Sequence, residues 1–145
     1  MIAQEKRLSY QYSLGHLILN ILLTILFCSI VTISHDVGDY WFVIIKYVIT
    51  VLVTCITVNQ VIYLCTAYIR GDKLILKKYF RSEKQYTAKQ LVNIKKYNLG
   101  RIHLIMVSMK SVDGSIERYM IMNIYAWYAQ SLYDAEEELS NWSKE

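Results

Sequence analysis

The spacing of hydrophobic residues along the chain changes near Arg70. Two long apolar stretches precede this point. Leu14–Ile33 has no formal charge when His16 is neutral, and Trp41–Ile69 contains Lys46 as its only charge. An apolar bilayer core about 30 Å thick is crossed by roughly 20 helical residues, and a helix satisfies its own backbone hydrogen bonds in lipid. Both stretches are therefore predicted to be membrane-spanning helices.

The segment between the two predicted spans is short and carries no positive charge. Ser34–Tyr40 contains two aspartates, whereas Lys6 and Arg7 precede the first span and further cations follow the second. Because Lys and Arg are retained on the cytoplasmic side, the pattern predicts an antiparallel hairpin with both termini cytoplasmic, in a bacterial inner membrane. Lys46 is close enough to the outer end to snorkel there. The predicted divisions are a cytoplasmic segment (residues 1–13), a transmembrane hairpin (14–69) and a cytoplasmic module (70–145).

After Arg70, apolar and polar residues begin to alternate. This period of two predicts a half-buried strand over residues 72–80, in which Leu74, Leu76 and Phe80 share one face. A second short strand is predicted over residues 82–88. The stretch that follows, residues 89–98, is compatible with a short helix or a strand.

The C-terminal part predicts a β-hairpin and then a helix. Strands over residues 101–110 and 116–125 flank the tight-turn pair Asp113–Gly114. The fold class is therefore a membrane α-helical hairpin followed by a small α+β module, an antiparallel sheet of four or five strands capped by a C-terminal helix. That helix is predicted from Ala126 to Trp142, with one apolar stripe formed by Tyr128, Leu132, Ala135, Leu139 and Trp142.

This arrangement resembles the bacterial pleckstrin-homology-like (bPH-type) two-pass membrane proteins. The similarity is carried by Tyr68, by Leu74–Leu76 in the first strand, by residues 89–94 and by the closing stretch 115–142. The resemblance implies a PH-like cytoplasmic sheet capped by a helix, and it does not imply an enzyme. In plan, the chain is also similar to antiphage effectors that join a helical hairpin to a small β-domain binding a cyclic nucleotide.

No catalytic or metal-binding motif is evident in the sequence. The three histidines fall in a span, in the outer loop and in a strand, and the five glycines form no phosphate-binding loop. The sequence therefore predicts a protein that is not an enzyme and that uses neither a metal nor a cofactor. The three cysteines lie in apolar runs and are interpreted as small buried side chains: Cys28, Cys55 and Cys65.

Four polar residues lie within the predicted spans. In an antiparallel hairpin, those of the first helix fall at a depth similar to those of the second. They are predicted to form interhelical hydrogen bonds that hold the hairpin or a homo-oligomer together; the alternative is a polar stripe that lines a pore or a transport path. These residues are His16, Asn20, Asn59 and Gln60.

A group of basic residues follows the second predicted span. Near an anionic leaflet each such cation contributes about 1 kcal/mol of attraction. One interpretation is that these cations set the membrane topology and otherwise lie on a solvated strand face. The other is that they face the membrane or a small anionic ligand. Nucleic acid is not predicted as a partner, because the adjacent lipid already supplies an anion. The residues are Lys73, Lys77, Lys78, Arg81 and Lys84.

Two functional hypotheses follow. The first is a non-enzymatic two-pass inner-membrane protein whose PH-like module organises an assembly or senses a ligand or partner. Its expected partners are the lipid bilayer, further copies of the chain, a small anionic ligand, or another membrane or cytoplasmic protein. The alternative is an antiphage effector that disrupts the membrane by forming a pore when a cyclic nucleotide binds its β-domain.

Overall fold

A computed structural model describes residues 5–34 and 39–144. The chain divides into two compact units. The hairpin unit comprises Leu14–Ile62, and the second unit, the β-module, is built from the residues on both sides of it, up to Ser13 and from Tyr63 onward. The module is therefore discontinuous in sequence, with the hairpin inserted into it.

The hairpin unit consists of two helices. Helix α1 spans Ser13–Ile33 and helix α2 spans Tyr40–Tyr63. Both are long enough and apolar enough to cross a membrane, which confirms the prediction of two such helices. Of the predicted outer loop, residues 35–38, including His35, lie outside the described residues.

The module contains two antiparallel sheets of four strands and a short helix. The first sheet has the order β1-β2-β3-β4, with strands Glu5–Arg7, Cys65–Arg70, Lys73–Lys78 and Glu83–Thr87. The second has the order β5-β6-β7-β8, with strands Leu91–Leu99, Ile102–Lys110, Ile116–Ala126 and Ala129–Gln130. Helix α3 spans Ala135–Trp142. This arrangement confirms a hairpin followed by a small α+β module.

The predicted helix was wrong over the last residues of the second apolar run. Helix α2 ends at Tyr63, and residues 65–70 form strand β2, whose Cys65, Ala67 and Ile69 are buried while Thr66 and Tyr68 are half-buried. An uncharged stretch of a buried strand and an uncharged stretch of a membrane-spanning helix look alike in sequence. The change from a helical period to a strand period after Tyr63 therefore could not be seen. The module accordingly begins before Arg70, and its first strand is not the one over residues 72–80.

The N-terminal segment also belongs to the module. Residues Glu5–Arg7 pair with β2, opposite Arg70, Ile69 and Tyr68 respectively. Three residues are too few for an alternation of apolar and polar side chains to be recognised. The sequence therefore indicated only that Lys6 and Arg7 help to set the membrane topology. With β1, β2 and β8 added, the described part of the module has eight strands where four or five were expected.

The core of the module lies between the two sheets and α3. Strand alternation sends one side of each strand inward, so that apolar side chains from both sheets meet. The turn at Asp113–Gly114 is present as predicted, with Ser111 N donating to Ser115 O over 2.7 Å and Gly114 at φ 88°. The core includes Ala67, Ile69, Leu74, Leu76, Ile105, Val107, Tyr119, Ile121, Leu139 and Trp142.

The C-terminal helix is shorter than predicted. Strand β7 continues through Ala126 and the chain turns back as β8, so Tyr128 and Leu132 are 70% and 86% exposed rather than part of a buried stripe. The helix begins after Asp134, whose carboxylate accepts hydrogen bonds from the backbone N–H groups of residues 136 and 137. Ala135, Leu139 and Trp142 are buried as predicted.

Two further predictions differ in detail. The alternation predicts Phe80 on the face of Leu74 and Leu76, but β3 ends at Lys78 and Phe80 is 68% exposed. The ambiguous stretch 89–98 is mostly strand, since β5 begins at Leu91 after a single 3-10 turn.

Candidate functional site

The five predicted cations do not form one surface. Lys73, Lys77 and Arg81 are exposed and have no carboxylate partner within the described residues. Lys84 is ion-paired with Glu117. Lys78 is buried, with 8% of its surface exposed, so the prediction that it faces lipid or a ligand was wrong.

Lys78 is buried because of its position in strand β3. Successive strand residues point to opposite faces, and Lys77 takes the outward position, so Lys78 shares the inward face with Leu74 and Leu76. Its ammonium lies 4.7 Å from the ring centroid of Tyr119 and 5.4 Å from that of Tyr63. Aromatic faces attract a cation, and they partly replace the water that Lys78 has lost. Burial nevertheless lowers the pKa of Lys78.

A hydrogen-bonded network joins the two sheets beside this lysine. The hydroxyls of Tyr86 in β4 and Tyr119 in β7 are 2.7 Å apart, and Tyr119 donates to Glu117 over 2.7 Å. Burial raises the pKa of Tyr119, whereas hydrogen bonds from Lys84 and Tyr119 lower the pKa of Glu117. Donors and acceptor are thus mutually satisfied, which makes the network a structural link between sheets.

Cys65 lies close to this network but is not a reactive thiol. It is fully buried and its Sγ donates to the carbonyl of Met120 over 3.4 Å. Burial raises the pKa of Cys65 to about 12, so the thiolate needed for nucleophilic attack is scarce at neutral pH. Cys65 matches the predicted buried role; Cys28 is half-buried and Cys55 is exposed, so the prediction was wrong for Cys55.

The chain enters and leaves the hairpin through two junctions, and both are bonded to residues 120–123 of β7. On the entering side, Tyr10 N donates to the carbonyl of Met122 over 2.9 Å. On the leaving side, Leu64 forms a parallel bridge with Met120. Ser13, the first residue of α1, also hydrogen-bonds the hydroxyl of Tyr79.

Asn123 is the central polar residue of these junctions, and it was not among the predicted site residues. Its side chain is fully buried; the amide donates to Leu8 O over 2.7 Å, and Oδ1 accepts from Ala135 N over 3.0 Å. One side chain therefore ties the segment before α1 to the start of α3. A buried asparagine within the apolar run of β7 was the one available signal, because such groups require partners.

In the hairpin unit, polar side chains form a seam between α1 and α2. Asn20 donates to Gln60 over 2.9 Å and contacts His16 Nδ1 at 3.2 Å. Thr24 and Thr57 follow one turn on, with their hydroxyls 2.8 Å apart. The seam brings together three of the four predicted intramembrane polar residues.

The fourth, Asn59, lies outside the seam. It bonds the carbonyl of Cys55 in its own helix over 3.0 Å. At the loop end, Lys46 reaches the hydroxyl of Ser34 over 2.7 Å, in the direction predicted for snorkelling.

The seam opens on one side into an apolar groove of about 470 Å³. Its sides are large hydrophobic side chains, and Thr24, Thr57, Asn20 and Gln60 contribute the polar part of its lining. Since the polar groups already bond one another, the groove presents mostly apolar surface.

Within residues 5–34 and 39–144, no group of three His, Cys, Asp or Glu side chains is arranged to hold a metal ion. His103 lies in β6 with its ring 4.7 Å from that of Tyr125, whereas His16 lies in the hairpin unit. Comparison with known proteins returned no matching family model, no matching curated protein and no matching solved structure.

Proposed function

We propose that this chain is a non-enzymatic two-pass protein of the bacterial inner membrane, whose cytoplasmic module senses a ligand or partner and organises an assembly. The observation that carries the proposal is the double junction at β7. The hairpin enters and leaves a single folded module through segments bonded to residues 120–123 of one strand.

This junction favours mechanical coupling over simple anchoring. A tether needs only a flexible linker, whereas here β1 ends at Arg7 and α1 begins at Ser13, and α2 ends two residues before β2 begins. The intervening segments are hydrogen-bonded to the module. A change in the module at β7 therefore has a short, bonded route to the residues at which the hairpin is attached, Ser13 and Tyr63.

The same feature bears on topology. Because β1 pairs with β2 across the inserted hairpin, a chain that crosses the membrane twice has both module segments on one side. The cations near the module and the absence of Lys and Arg from residues 34–40 favour the cytoplasm for that side. Two antiparallel sheets with a C-terminal helix also support the proposed PH-like, bPH-type relationship.

Topology is tested by thiol labelling of whole cells. In a variant lacking Cys28, Cys55 and Cys65, single cysteines replace Ser34 at the loop end and Ser143 in the module, both of which are exposed. An impermeant maleimide should label position 34 in intact cells and position 143 only after lysis. Labelling at position 143 alone in intact cells would overturn the proposed orientation.

Coupling is tested by inserting about ten Gly/Ser residues between Tyr63 and Leu64 in the full chain, with the same insertion between Asp113 and Gly114 as a control. The proposal expects homo-oligomers of wild type in nanodiscs, a changed size distribution for the junction insertion and no change for the turn insertion. Mass photometry measures the distribution. A strictly monomeric wild type contradicts the assembly role, and equal behaviour of both insertions contradicts coupling.

A second candidate function is the pore-forming antiphage effector. The seam favours it, since Asn20, Gln60 and the two threonines could exchange their mutual bonds for bonds between copies and so line a polar path. Induced expression with a membrane-potential dye distinguishes the two: an effector depolarises cells, and an organising protein leaves the potential unchanged.

A further inference from the structure

A small depression lies on the second sheet, on the face directed away from the core. Its volume is about 170 Å³. The core-facing residues of these strands, such as Ile94, Val107 and Tyr119, alternate with those that line the depression. The lining comprises Asn93, Lys95 and Tyr97 of β5, Met106 and Ser108 of β6, and Arg118 of β7.

The strand register places the polar groups in one row. Asn93 is opposite Ser108, and Ser108 is opposite Arg118. Neighbouring strands are about 4.8 Å apart, so the outer members of the row stand roughly 10 Å from each other with the Ser108 hydroxyl between them. The row thus offers a side-chain amide, a hydroxyl and a guanidinium, and these donors suit a tetrahedral anion that accepts hydrogen bonds from several directions.

The charge of the depression is not neutralised. Within the described residues, Lys95 and Arg118 have no carboxylate partner, and the lining contains no acidic residue. Two other cations of the module do have acidic partners: Lys84 pairs with Glu117, and Lys96, on the other face of β5, lies 3.3 Å from Asp134. Two unpaired cations in a concave surface leave a positive field for an anion.

The depression also has an apolar side. Tyr97 is half-exposed, and Met106, which lies opposite Lys95 on the neighbouring strand, lines the depression together with it. An aromatic face and a polarisable thioether suit a flat or apolar group attached to the anion. An inorganic ion would leave these two side chains unused.

We propose that this depression binds a phosphate ester, with Lys95, Arg118 and Ser108 on the phosphate and Tyr97 against the adjoining group. Two sources share this chemistry, a soluble nucleotide and the headgroup of an anionic phospholipid. The proposal rests on the proposed function, because it names the ligand class that the module senses. Direct binding is measured without reference to assembly, so either idea can fail alone.

The test uses the full chain in nanodiscs. In the first arm the bilayer is phosphatidylcholine alone, and a fluorescent methylanthraniloyl adenine nucleotide is titrated, with inorganic phosphate as competitor and chloride of equal ionic strength as reference. In the second arm, part of the lipid is replaced by phosphatidic acid without soluble ligand, and the rise in the thermal midpoint of the module is measured.

Arg118→Gln and Lys95→Gln remove one cation each. Lys144→Gln is the matched control, since it removes an exposed cation that follows the C-terminal helix and lies outside the depression. We expect wild type to respond in one arm, which identifies the source. Each pocket variant should lose about tenfold in nucleotide affinity or most of the midpoint shift, and Lys144→Gln less than about twofold. No response in either arm, or an equal loss in the control, overturns the proposal.

Discussion

The two units of this chain bury opposite kinds of side chain. In the hairpin unit, large apolar side chains point outward, as Leu22 and Leu26 do with 59% and 56% exposed, while Thr24 between them is 9% exposed. In the module, Leu74 and Leu76 are fully buried and Lys73 and Lys77 are exposed. One rule accounts for both patterns: each unit buries the side chains that its surroundings solvate poorly. Lipid around the hairpin unit favours burial of polar groups, and water around the module favours burial of apolar groups.

A hydrogen bond should also contribute a different stabilising free energy in each of the two units. In the module, a polar group deprived of its partner is stranded in an apolar core after having been solvated by water in the unfolded chain. In a bilayer the separated helices find other partners, so seam bonds contribute less than their geometry suggests. Substitutions of similar chemistry should therefore have different effects in the two units.

The largest effect is expected from a charge placed on an outward apolar position. Leu22→Asp lies near the middle of α1 and should cost about 3 kcal/mol of membrane insertion. Val112→Asp, at a turn residue that is 98% exposed, should change stability by less than about 0.5 kcal/mol. Alkaline extraction after translation with membranes measures insertion. Equal membrane association of Leu22→Asp and wild type would show that α1 is not lipid-facing.

The next effect concerns the buried asparagine of the module. Asn123→Ala leaves Leu8 O and Ala135 N without their side-chain partner, and should lower the free energy of unfolding by about 3 kcal/mol. The control is Asn98→Ala, an exposed residue of β5, with an expected change under about 0.5 kcal/mol. Denaturant unfolding is followed by the fluorescence of Trp142 after the other two tryptophans are replaced. Similar midpoints for both variants would contradict the proposed role of Asn123.

A smaller effect should depend on pH. Hydrogen bonds hold the pKa of Glu117 below its ordinary value of 4.5. Its contribution, about 1 kcal/mol, is therefore present above the unfolded-state pKa and is lost as pH falls through the lower folded-state pKa. Glu117→Gln should lose this stabilising free energy at pH 7. Its thermal midpoint should also fall less steeply than that of wild type as the pH is lowered. Glu83→Gln, an exposed residue of β4, should keep the wild-type pH dependence.

The smallest effect is expected in the seam. The coupling between Asn20 and Gln60, measured by a double-mutant cycle to leucine, should be about 1 kcal/mol or less. The pair Asn20 and Asn59 should show none, since Asn59 bonds its own helix. Loss of helicity in a detergent titration measures each variant. Coupling well above that of a module hydrogen bond would contradict the difference in value between the two units.

The hairpin was the most predictable part of the chain, because about 20 consecutive apolar residues rarely form anything except a membrane-spanning helix. Antiparallel depth predicted that Asn20 lies level with Asn59 and Gln60, but it did not distinguish Gln60, which bonds Asn20, from Asn59, which bonds its own helix. The β-hairpin at Asp113–Gly114 was equally readable, since its turn chemistry is local.

The features that hold the module together were less predictable. Strand β1 has three residues, and β2 lies inside an apolar run, so neither showed a period. The burial of Lys78 could have been inferred from its parity with Leu74 and Leu76, since two adjacent lysines in a strand cannot share a face. The row from Asn93 to Arg118 depends on a register among three strands, which no local pattern defines.

The insertion of the hairpin between β1 and β2 has a consequence for biosynthesis. Strand β1 leaves the ribosome before the hairpin, and β2 only after it, so the edge of the first sheet cannot close until both helices are made. A chain that crosses the bilayer once strands β1 on the opposite side from β2 and leaves that edge unpaired. Pairing of β1 with β2 therefore requires a chain that crosses the bilayer twice, and a chain that crosses once keeps an unpaired strand edge, which promotes aggregation.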